Sequence, residues 1–287
     1  MESPDPMLPE TTRPGRVTLR VNDLDRLVAF YRDVVGLTVL ECDEDRATLG
    51  SDEPLLELIA DPDASERRRE ETGLFHVAFR VPSREALGEA LERVRERWRL
   101  EGASDHLVSE ALYLADPEGN GVEIYRDRPR SEWPIDEDGG VEMETLALDT
   151  EALAALGRGR GTAPDGTTVG HVHLEVSSLP AARAFYVDAL GLRVRQEWGD
   201  SALFVAAGDY HHHVGLNAWN GRTVPSTGRG LAWFELLVPD RGALEAIRGR
   251  LEGADVEVDG KDVGLELADP DGIELRLRAE SADPKPW

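Results

Sequence analysis

The chain has little of several features that define common protein classes. Cys42 is the single cysteine among 287 residues, which excludes an intramolecular disulfide and a multi-cysteine metal cluster. No apolar run approaches the roughly 20 residues that span a bilayer, and the N-terminal MESPDPMLPE does not resemble a secretion signal. We therefore expect a cytoplasmic protein outside the membrane, with any metal held by His, Asp or Glu.

Positive charge is also scarce. The chain has 32 Lys and Arg residues against 57 Asp and Glu residues, and its formal net charge is -25 at pH 7. Nucleic acid is not an expected partner, because binding it requires clustered basic side chains. Repulsion on this scale is screened at high salt, where the Debye length falls from about 10 Å at 0.1 M to about 3 Å at 1 M. A high-salt cytosol is therefore predicted.

An internal repeat organises the chain. The segment VTLRVNDLDRLVAFYRDVVGLTV (17–39) recurs as VHLEVSSLPAARAFYVDALGLRV (172–194). FHVAFRVPSREAL (75–87) corresponds to AWFELLVPDRGAL (232–244), and the turn segment ADPEGNG corresponds to ADPDGIE. The order is A, B, A, B, which indicates four modules of about fifty residues each.

Each module reads as a strand, a helix and three further strands. Apolar residues alternate in the first strand, as at Val77, Phe79 and Val81, and an amphipathic helix such as 27–35 follows. Gly36 is expected to end that helix, and DPxG sequences predict turns between the last two strands. One such unit buries too small a core to be stable alone, so we expect modules to pair into curved sheets with helices outside.

The predicted organisation has five parts. The connecting segment contains RDRPRSEWPIDEDGG and GRGRGTAPDG with a short helical pattern between them, and is predicted to be a surface linker of modest structure. The parts are an N-terminal extension (1–15), a first half with modules 1 and 2 (16–126), the linker (127–168), a second half with modules 3 and 4 (169–279) and a loosely held tail (280–287).

These features resemble the vicinal-oxygen-chelate superfamily of glyoxalase I, extradiol dioxygenases and fosfomycin and bleomycin resistance proteins. The resemblance rests on the repeat, on the FY…GL helix ends and on the DPxG turn before a glutamate-bearing strand. DHLVSEALYLADPEGNGVEIYRDRP (105–129), GHVHLEV (170–176) and YHHHVGLNAW (210–219) resemble bacterial catechol 2,3-dioxygenases. Nearly the whole chain is covered. The resemblance implies an α+β fold in which four βαβββ modules pair into two curved mixed sheets with helices outside.

The superfamily places metal ligands at the start of a module's first strand and on its last strand. Module 2 offers His76 and Glu123 at these places, and module 3 offers His171 with Gly215 on its last strand. Modules 1 and 4 offer Arg16, Trp233 and either Glu274 or Arg276. Only the pairing of module 2 with module 3, and hence of 1 with 4, assembles a complete site, so we predict that arrangement.

The distribution of histidine supports this pairing. All seven histidines fall in modules 2 and 3, and strand alternation puts His76, Glu123 and His171 on the face opposite the helices. Two imidazoles and one carboxylate suit Fe(II), with Mn(II) as the alternative, and leave three adjacent coordination positions free. A catechol would take two of them and O2 the third. Gly215 is expected to keep the fourth protein position empty, where an isomerase would need a second carboxylate.

Further roles follow from the resemblance alone. His212, with His213 as the fallback, matches an acid–base histidine, although alternation puts His212 on the helix side unless a bulge intervenes. Tyr113 and His106 match residues near the substrate. Strand alternation puts His173 on the concave face with His171, and His173 is likewise expected to bind the substrate.

The sequence therefore predicts an Fe(II)-dependent extradiol dioxygenase that cleaves a catechol or a hydroquinone with O2. Two alternatives remain open: a metal-dependent isomerase or transferase of the same superfamily, and a non-enzymatic binding or resistance protein. A homo-oligomer is suggested by the resemblance, without an interface visible in the sequence.

Overall fold

A computed structural model describes residues 7–137, 139–159, 161–260 and 264–280. Most of the predicted tail and the start of the N-terminal extension lie outside the described residues. Within them, no helix is both long and apolar enough to cross a bilayer.

The first half of the chain contains two modules of the predicted order. Each begins with a long strand and a helix, and three strands follow. The elements are β1 (Arg13–Val21), α1 (Leu24–Phe30), β2 (Thr38–Cys42), β3 (Arg46–Gly50), β4 (Pro54–Ala60), β5 (Gly73–Arg80), α2 (Arg84–Arg97), β6 (Gly102–Asp105), β7 (Ser109–Ala115) and β8 (Gly121–Asp127).

The linker and the second half follow. In module 4, two strands and an isolated antiparallel bridge between Asp259 and Glu266 follow the helix among the described residues. The elements are β9 (Leu146–Ala147), α3 (Thr150–Ala154), β10 (Thr168–Glu175), α4 (Leu179–Arg183), β11 (Arg193–Trp198), β12 (Ala202–Ala206), β13 (Val214–Asn217), β14 (Gly230–Val238), α5 (Arg241–Gly253), β15 (Gly264–Ala268) and β16 (Glu274–Ala279).

The strands form two mixed sheets, and each sheet takes one module from each half of the chain. One sheet has the order β15-β16-β14-β1-β4-β3-β2, and the other has β11-β12-β13-β10-β5-β8-β7-β6-β9. The central contacts are the antiparallel pairs β1–β14 and β5–β10. Module 2 therefore pairs with module 3 and module 1 with module 4, as predicted, and the α+β fold class is confirmed.

Helix contacts connect the two modules of each half. After α1 the chain makes a π-helical turn (Tyr31–Val35) and ends at Gly36, whose φ of 95° lies in the left-handed region that glycine tolerates. Arg93 on α2 donates to the carbonyls of Val34 and Val35 at this end. In the second half, Arg250 makes the equivalent contacts with the carbonyls of Ala189 and Leu190.

The linker is more structured than predicted. Trp133, Val141 and Met143 are buried and form a small apolar cluster with Phe204 and Tyr210 of module 3. Its strand β9 pairs with β6 at the edge of the nine-stranded sheet. Most residues of this segment are polar, so the sequence pattern did not indicate that these few apolar residues are buried. The linker covers one side of the concave face, next to the predicted site.

Candidate metal centre and substrate pocket

Three adjacent strands position the predicted metal ligands. His76 lies on β5, His171 on the antiparallel neighbour β10, and Glu123 on β8, which runs parallel to β5 on its other side. Ala78 on β5 is paired with His171 on β10 and with Glu123 on β8, so these two side chains lie on either side of Ala78. Side chains alternate along a strand, and all three therefore project from the concave face.

The ligand atoms converge on one point. Glu123 Oε2 lies 2.9 Å from His76 Nε2 and 3.1 Å from His171 Nε2, and the two imidazole nitrogens are 3.3 Å apart. Metal–ligand bonds of about 2.1 Å in octahedral geometry place adjacent ligand atoms about 3.0 Å apart. The spacing therefore fits a divalent ion held on one face of an octahedron. Among the described residues, this is the single group of three such side chains close enough to hold a metal.

Burial and mutual contacts together determine the protonation states of these three side chains. The three side chains are between 2% and 6% exposed. Burial lowers the pKa of His171 to about 4, against the opposing effect of Glu123. Burial would raise the pKa of Glu123, but its contacts with His171 and His76 outweigh this and hold the pKa well below its usual value. Neutral imidazole and ionised carboxylate are the forms that bind a metal.

A cavity of about 280 Å³ opens above the three residues. Four predicted site residues line it, namely His106, Tyr113, His173 and His212. Sequence reasoning missed the remaining lining residues, which are Phe75, Ser104, Ser109, Met143, Thr145, Trp198, Phe204 and Trp219. The two tryptophans could have been suspected from YHHHVGLNAW and QEWGD, but Met143 and Thr145 belong to the linker and gave no signal.

His106 and Tyr113 form one hydrogen-bonded pair at the cavity wall. His106 Nε2 lies 2.7 Å from the Tyr113 hydroxyl, and His106 Nδ1 lies 2.5 Å from the Glu144 carbonyl. The carbonyl can only accept a hydrogen bond, so Nδ1 donates to it. Nε2 of a neutral His106 then accepts a hydrogen bond from the Tyr113 hydroxyl. The linker thus fixes the ring that orients Tyr113.

The three consecutive histidines have different surroundings. His212 lines the cavity and packs against His171, with ring centroids 4.1 Å apart. His213 instead lines a second cavity, where it stacks on Tyr210. All three precede β13 in irregular backbone, so the suggested bulge is not needed: strand alternation does not apply to them. The structure brings His212, and not the fallback His213, to the metal group.

His211 connects His212 to a carboxylate. His211 Nε2 lies 3.0 Å from Asp127 Oδ1, and its Nδ1 lies 2.8 Å from His212 Nδ1. The carboxylate accepts from Nε2, and a neutral His211 then accepts at Nδ1 from His212. This tautomer leaves Nε2 of His212 without a proton. Asp127 and His211 were not assigned roles from the sequence.

Gly215 has a different role from the one predicted. A Cβ on Gly215 would lie 2.8 Å from Cδ2 and 2.9 Å from Cγ of His173, its partner in the strand register. The space above the glycine is thus filled by the His173 ring and is not an empty ligand position. Nε2 of His173 is buried and has no hydrogen-bond partner among the described residues, which leaves it available to a ligand in the cavity.

Substitution Gly215→Ala is expected to weaken binding of a cavity ligand at least tenfold while metal content stays unchanged. The added methyl group displaces the His173 ring. The three predicted metal ligands lie on β5, β8 and β10, and Gly215 lies on β13, so the ligands keep their positions. Calorimetric titration of the metal-loaded variant with catechol, alongside metal analysis, measures both quantities. Unaltered affinity would mean that the ring position is unimportant.

The other sheet shows what occupies the corresponding place when histidine is absent. In the strand register, Glu57 and Arg276 occupy the places in this sheet that Glu123 occupies in the other. The last-strand position of module 4 is therefore Arg276 and not Glu274. Module 1 has Glu57 at this position, a residue that the sequence comparison missed. Glu57 accepts from Thr18 and pairs with Arg46. The Arg276 guanidinium lies 4.2 Å from the Trp233 ring centroid. Charge pairs and stacking fill this face.

Comparisons with known proteins agree with this fold and site. Residues 13–124 and 168–277 match the profile of the Glyoxalase/Bleomycin resistance protein/Dioxygenase superfamily. The chain belongs to this superfamily. Catechol-2,3-dioxygenase from Bacillus subtilis (strain 168) is 40% identical over 270 residues, which cover 91% of this chain and 95% of the relative. The prediction of an enzyme similar to catechol 2,3-dioxygenases is thereby confirmed.

Solved structures show the same fold at low identity. Glyoxalase I from Zea mays is 17% identical, covers 94% of this chain and 92% of its own, and gives a TM-score of 0.58. A Bacillus subtilis protein assigned as a dioxygenase is 12% identical, covers 94% of this chain and 86% of its own, and gives a TM-score of 0.62. At these identities the likeness concerns the fold alone.

Proposed function

We propose that this chain is an Fe(II)-dependent extradiol dioxygenase that cleaves the ring of a catechol-type diol with O2. The observation that carries the proposal is the convergence of two imidazoles and one carboxylate within 3.3 Å at the floor of an aromatic cavity. The 40% identity to a catechol-2,3-dioxygenase supports the same reaction class. A hydroquinone remains an alternative substrate, and Mn(II) an alternative ion.

His76 Nε2, His171 Nε2 and a Glu123 oxygen would hold the ion. When bound, Fe(II) supplies adjacent coordination positions for the diol and O2 and lets electron density pass between them. A facial arrangement of three protein ligands suits this chemistry, because it leaves the opposite face to the substrates.

We propose that His212 acts as the acid–base group that accepts a proton from the diol and returns it. Its Nε2 is unprotonated in the tautomer fixed by His211, and the ring stands beside the ligand His171. It can therefore accept a proton from a diol hydroxyl at Nε2 and return it later in the reaction. Asp127 accepts a hydrogen bond from His211 and keeps the His211 ring in this orientation whether His212 is neutral or protonated.

Tyr113, His106 and His173 are proposed to orient the diol. The Tyr113 hydroxyl is fixed by His106 at 2.7 Å, and Nε2 of His173 offers an unpaired polar atom. The rings of Phe75, Phe204 and Trp219 surround His173, with centroids 5.2 to 5.7 Å from it. This apolar surround excludes water from the polar groups and strengthens their contacts with the substrate.

Anaerobic loading with Fe(II), followed by catechol and then air, tests the proposal. We expect stoichiometric O2 uptake and a yellow ring-fission product near neutral pH. Metal binding without O2 uptake would favour an isomerase or transferase, and failure to bind metal would favour a binding protein. The homo-oligomer, the high-salt cytosol and the absence of nucleic-acid partners stay predictions, as do the domain boundaries.

A further inference from the structure

We infer that Glu175 is a positioning residue for Phe75 and Trp219, the two aromatic residues that we call the mouth of the cavity. It acts on them through Arg67 and Asn220. The inference rests on the proposed function, because it concerns how the same cavity holds a diol. It is drawn from a buried carboxylate that does not line the cavity, from its partners and from an irregularity of β5.

A bulge in β5 puts Phe75 and His76 in the same cavity. His76 on β5 lies opposite His173 on β10. The next pair is Leu74 with Leu174, so Phe75 is an extra residue on β5. Neighbouring side chains of a regular strand point to opposite faces, but a bulge can turn a further side chain to one face. Both Phe75 and His76 line the cavity, so the place of the Phe75 ring depends on how this bulge is held.

Arg67 holds the bulge, and Glu175 holds Arg67. The guanidinium of Arg67 donates to the carbonyl of Leu74, the residue before Phe75. Its Nη2 donates to Glu175 Oε2 at 2.6 Å. Glu175 is 2% exposed and lies two residues after His173 on the same face of β10. A charge-assisted hydrogen bond to this buried carboxylate fixes where the long arginine side chain ends.

The other carboxylate oxygen of Glu175 holds the loop that carries Trp219. Asn220 Nδ2 donates to Oε1 of Glu175 at 2.5 Å. Asn220 and Trp219 are neighbours in the loop between β13 and β14 (218–229). The ring centroid of Trp219 lies 5.4 Å from that of Phe75, edge to face. One carboxylate therefore fixes the chain beside both rings of the mouth.

Arg222 extends this cluster to the loop between β4 and β5 (61–72), to which Arg67 belongs. Its Nε lies 2.6 Å from Glu175 Oε1, and its Nη1 donates to the carbonyl of Arg69 at 2.8 Å. Two guanidinium groups and one carboxylate thus hold both loops against the end of β10. None of these three charged side chains lines the cavity.

The other sheet offers a matched control. The internal repeat aligns Glu175 with Arg20 on β1. Arg20 is half-exposed, donates to the carbonyl of Gly228 at 3.4 Å and lies 3.7 Å from Asp61. It therefore also joins a strand end to the loops, but it does not line the cavity and contacts neither ring of the mouth.

Substitution Glu175→Gln tests the inference by removing the charge while keeping the shape. We expect the affinity of the Fe(II)-loaded protein for catechol, measured anaerobically by calorimetry, to fall at least tenfold, and KM from O2 uptake to rise by a similar factor. We expect kcat to stay within a few-fold and iron content to stay unchanged, because His76 keeps its pairing with β8 and β10. Arg20→Gln is expected to change none of these quantities.

Three outcomes of this comparison would decide against the inference or the function. Unaltered catechol affinity in Glu175→Gln would overturn the inference. An equal loss in Arg20→Gln, or loss of iron from Glu175→Gln, would also overturn it, because the carboxylate would then only stabilise the fold. Cleavage of no diol by the unaltered Fe(II)-loaded protein would instead count against the proposed function.

A milder variant keeps the test valid if Glu175→Gln does not fold, since that change leaves two guanidinium groups without their counter-charge. Asn220→Ala keeps both ion pairs and removes only the contact beside Trp219. We expect it to weaken catechol binding about threefold. In a Trp219→Ala background this loss is expected to disappear, because the ring that Asn220 positions is gone. The same loss in both backgrounds would show that the cluster does not act through Trp219, and would overturn the inference.

Discussion

Replacing His76 or His171 by alanine is expected to abolish stoichiometric iron binding. Either substitution leaves one imidazole and one carboxylate, too few protein ligands to hold Fe(II) on one face of its coordination shell. Both side chains are buried and meet Glu123 within 3.1 Å, so no other described residue is placed to substitute for them. Iron content after anaerobic loading and gel filtration measures the loss, with circular dichroism to verify folding.

Two variants serve as controls for this loss. His173→Ala removes a buried histidine from the same cavity but outside the converging group, and is expected to retain iron. Trp233→His puts an imidazole at the position in the other sheet that corresponds to His76, and is expected to change little. Full iron occupancy in His76→Ala would refute the ligand assignment.

His212→Gln is expected to lower kcat by about 10² to 10⁴-fold, the usual range for loss of a general acid–base group. Glutamine keeps a polar side chain in the cavity but cannot exchange a proton near neutral pH. Iron content is expected to stay unchanged, because His212 packs beside His171 without belonging to the converging group. Initial rates of O2 uptake with catechol give kcat, and iron analysis gives the occupancy.

His213→Gln is the matched control. The two histidines are adjacent in sequence, yet His213 lines the second cavity and accepts the Ala207 amide at Nδ1. Its variant is expected to keep kcat within a few-fold of the unaltered protein. A larger loss in His213→Gln than in His212→Gln would reverse the assignment of the two residues.

Local signals in the sequence predicted much of the fold. Gly36 ends its helix at positive φ, and the DPxG turns lie between the last strands, because backbone conformation at these points depends on a few neighbouring residues. Pairing of modules 2 and 3 is a long-range feature that no local pattern encodes. It was predicted only because His76, His171 and Glu123 are chemically complete together and incomplete apart.

The remaining parts of the site depend on features without a sequence period. His211, His212 and His213 lie in irregular backbone, so alternation assigned His212 to the wrong side. Met143 is one apolar residue in an acidic linker, and its burial depends on where the linker crosses the sheet. Gly215 was interpreted as an empty position because the ring of His173, which fills the space, becomes visible only with the strand register.

Diffraction from crystals of the Fe(II)-loaded protein, measured at the iron absorption edge, tests the central claim most directly. The anomalous signal is expected to show one iron per chain, bonded to His76 Nε2, His171 Nε2 and a Glu123 oxygen at about 2.0–2.2 Å, in keeping with the bond lengths of divalent metals to these ligands. Iron bound at any other place, or held by fewer than these three side chains, would contradict the account.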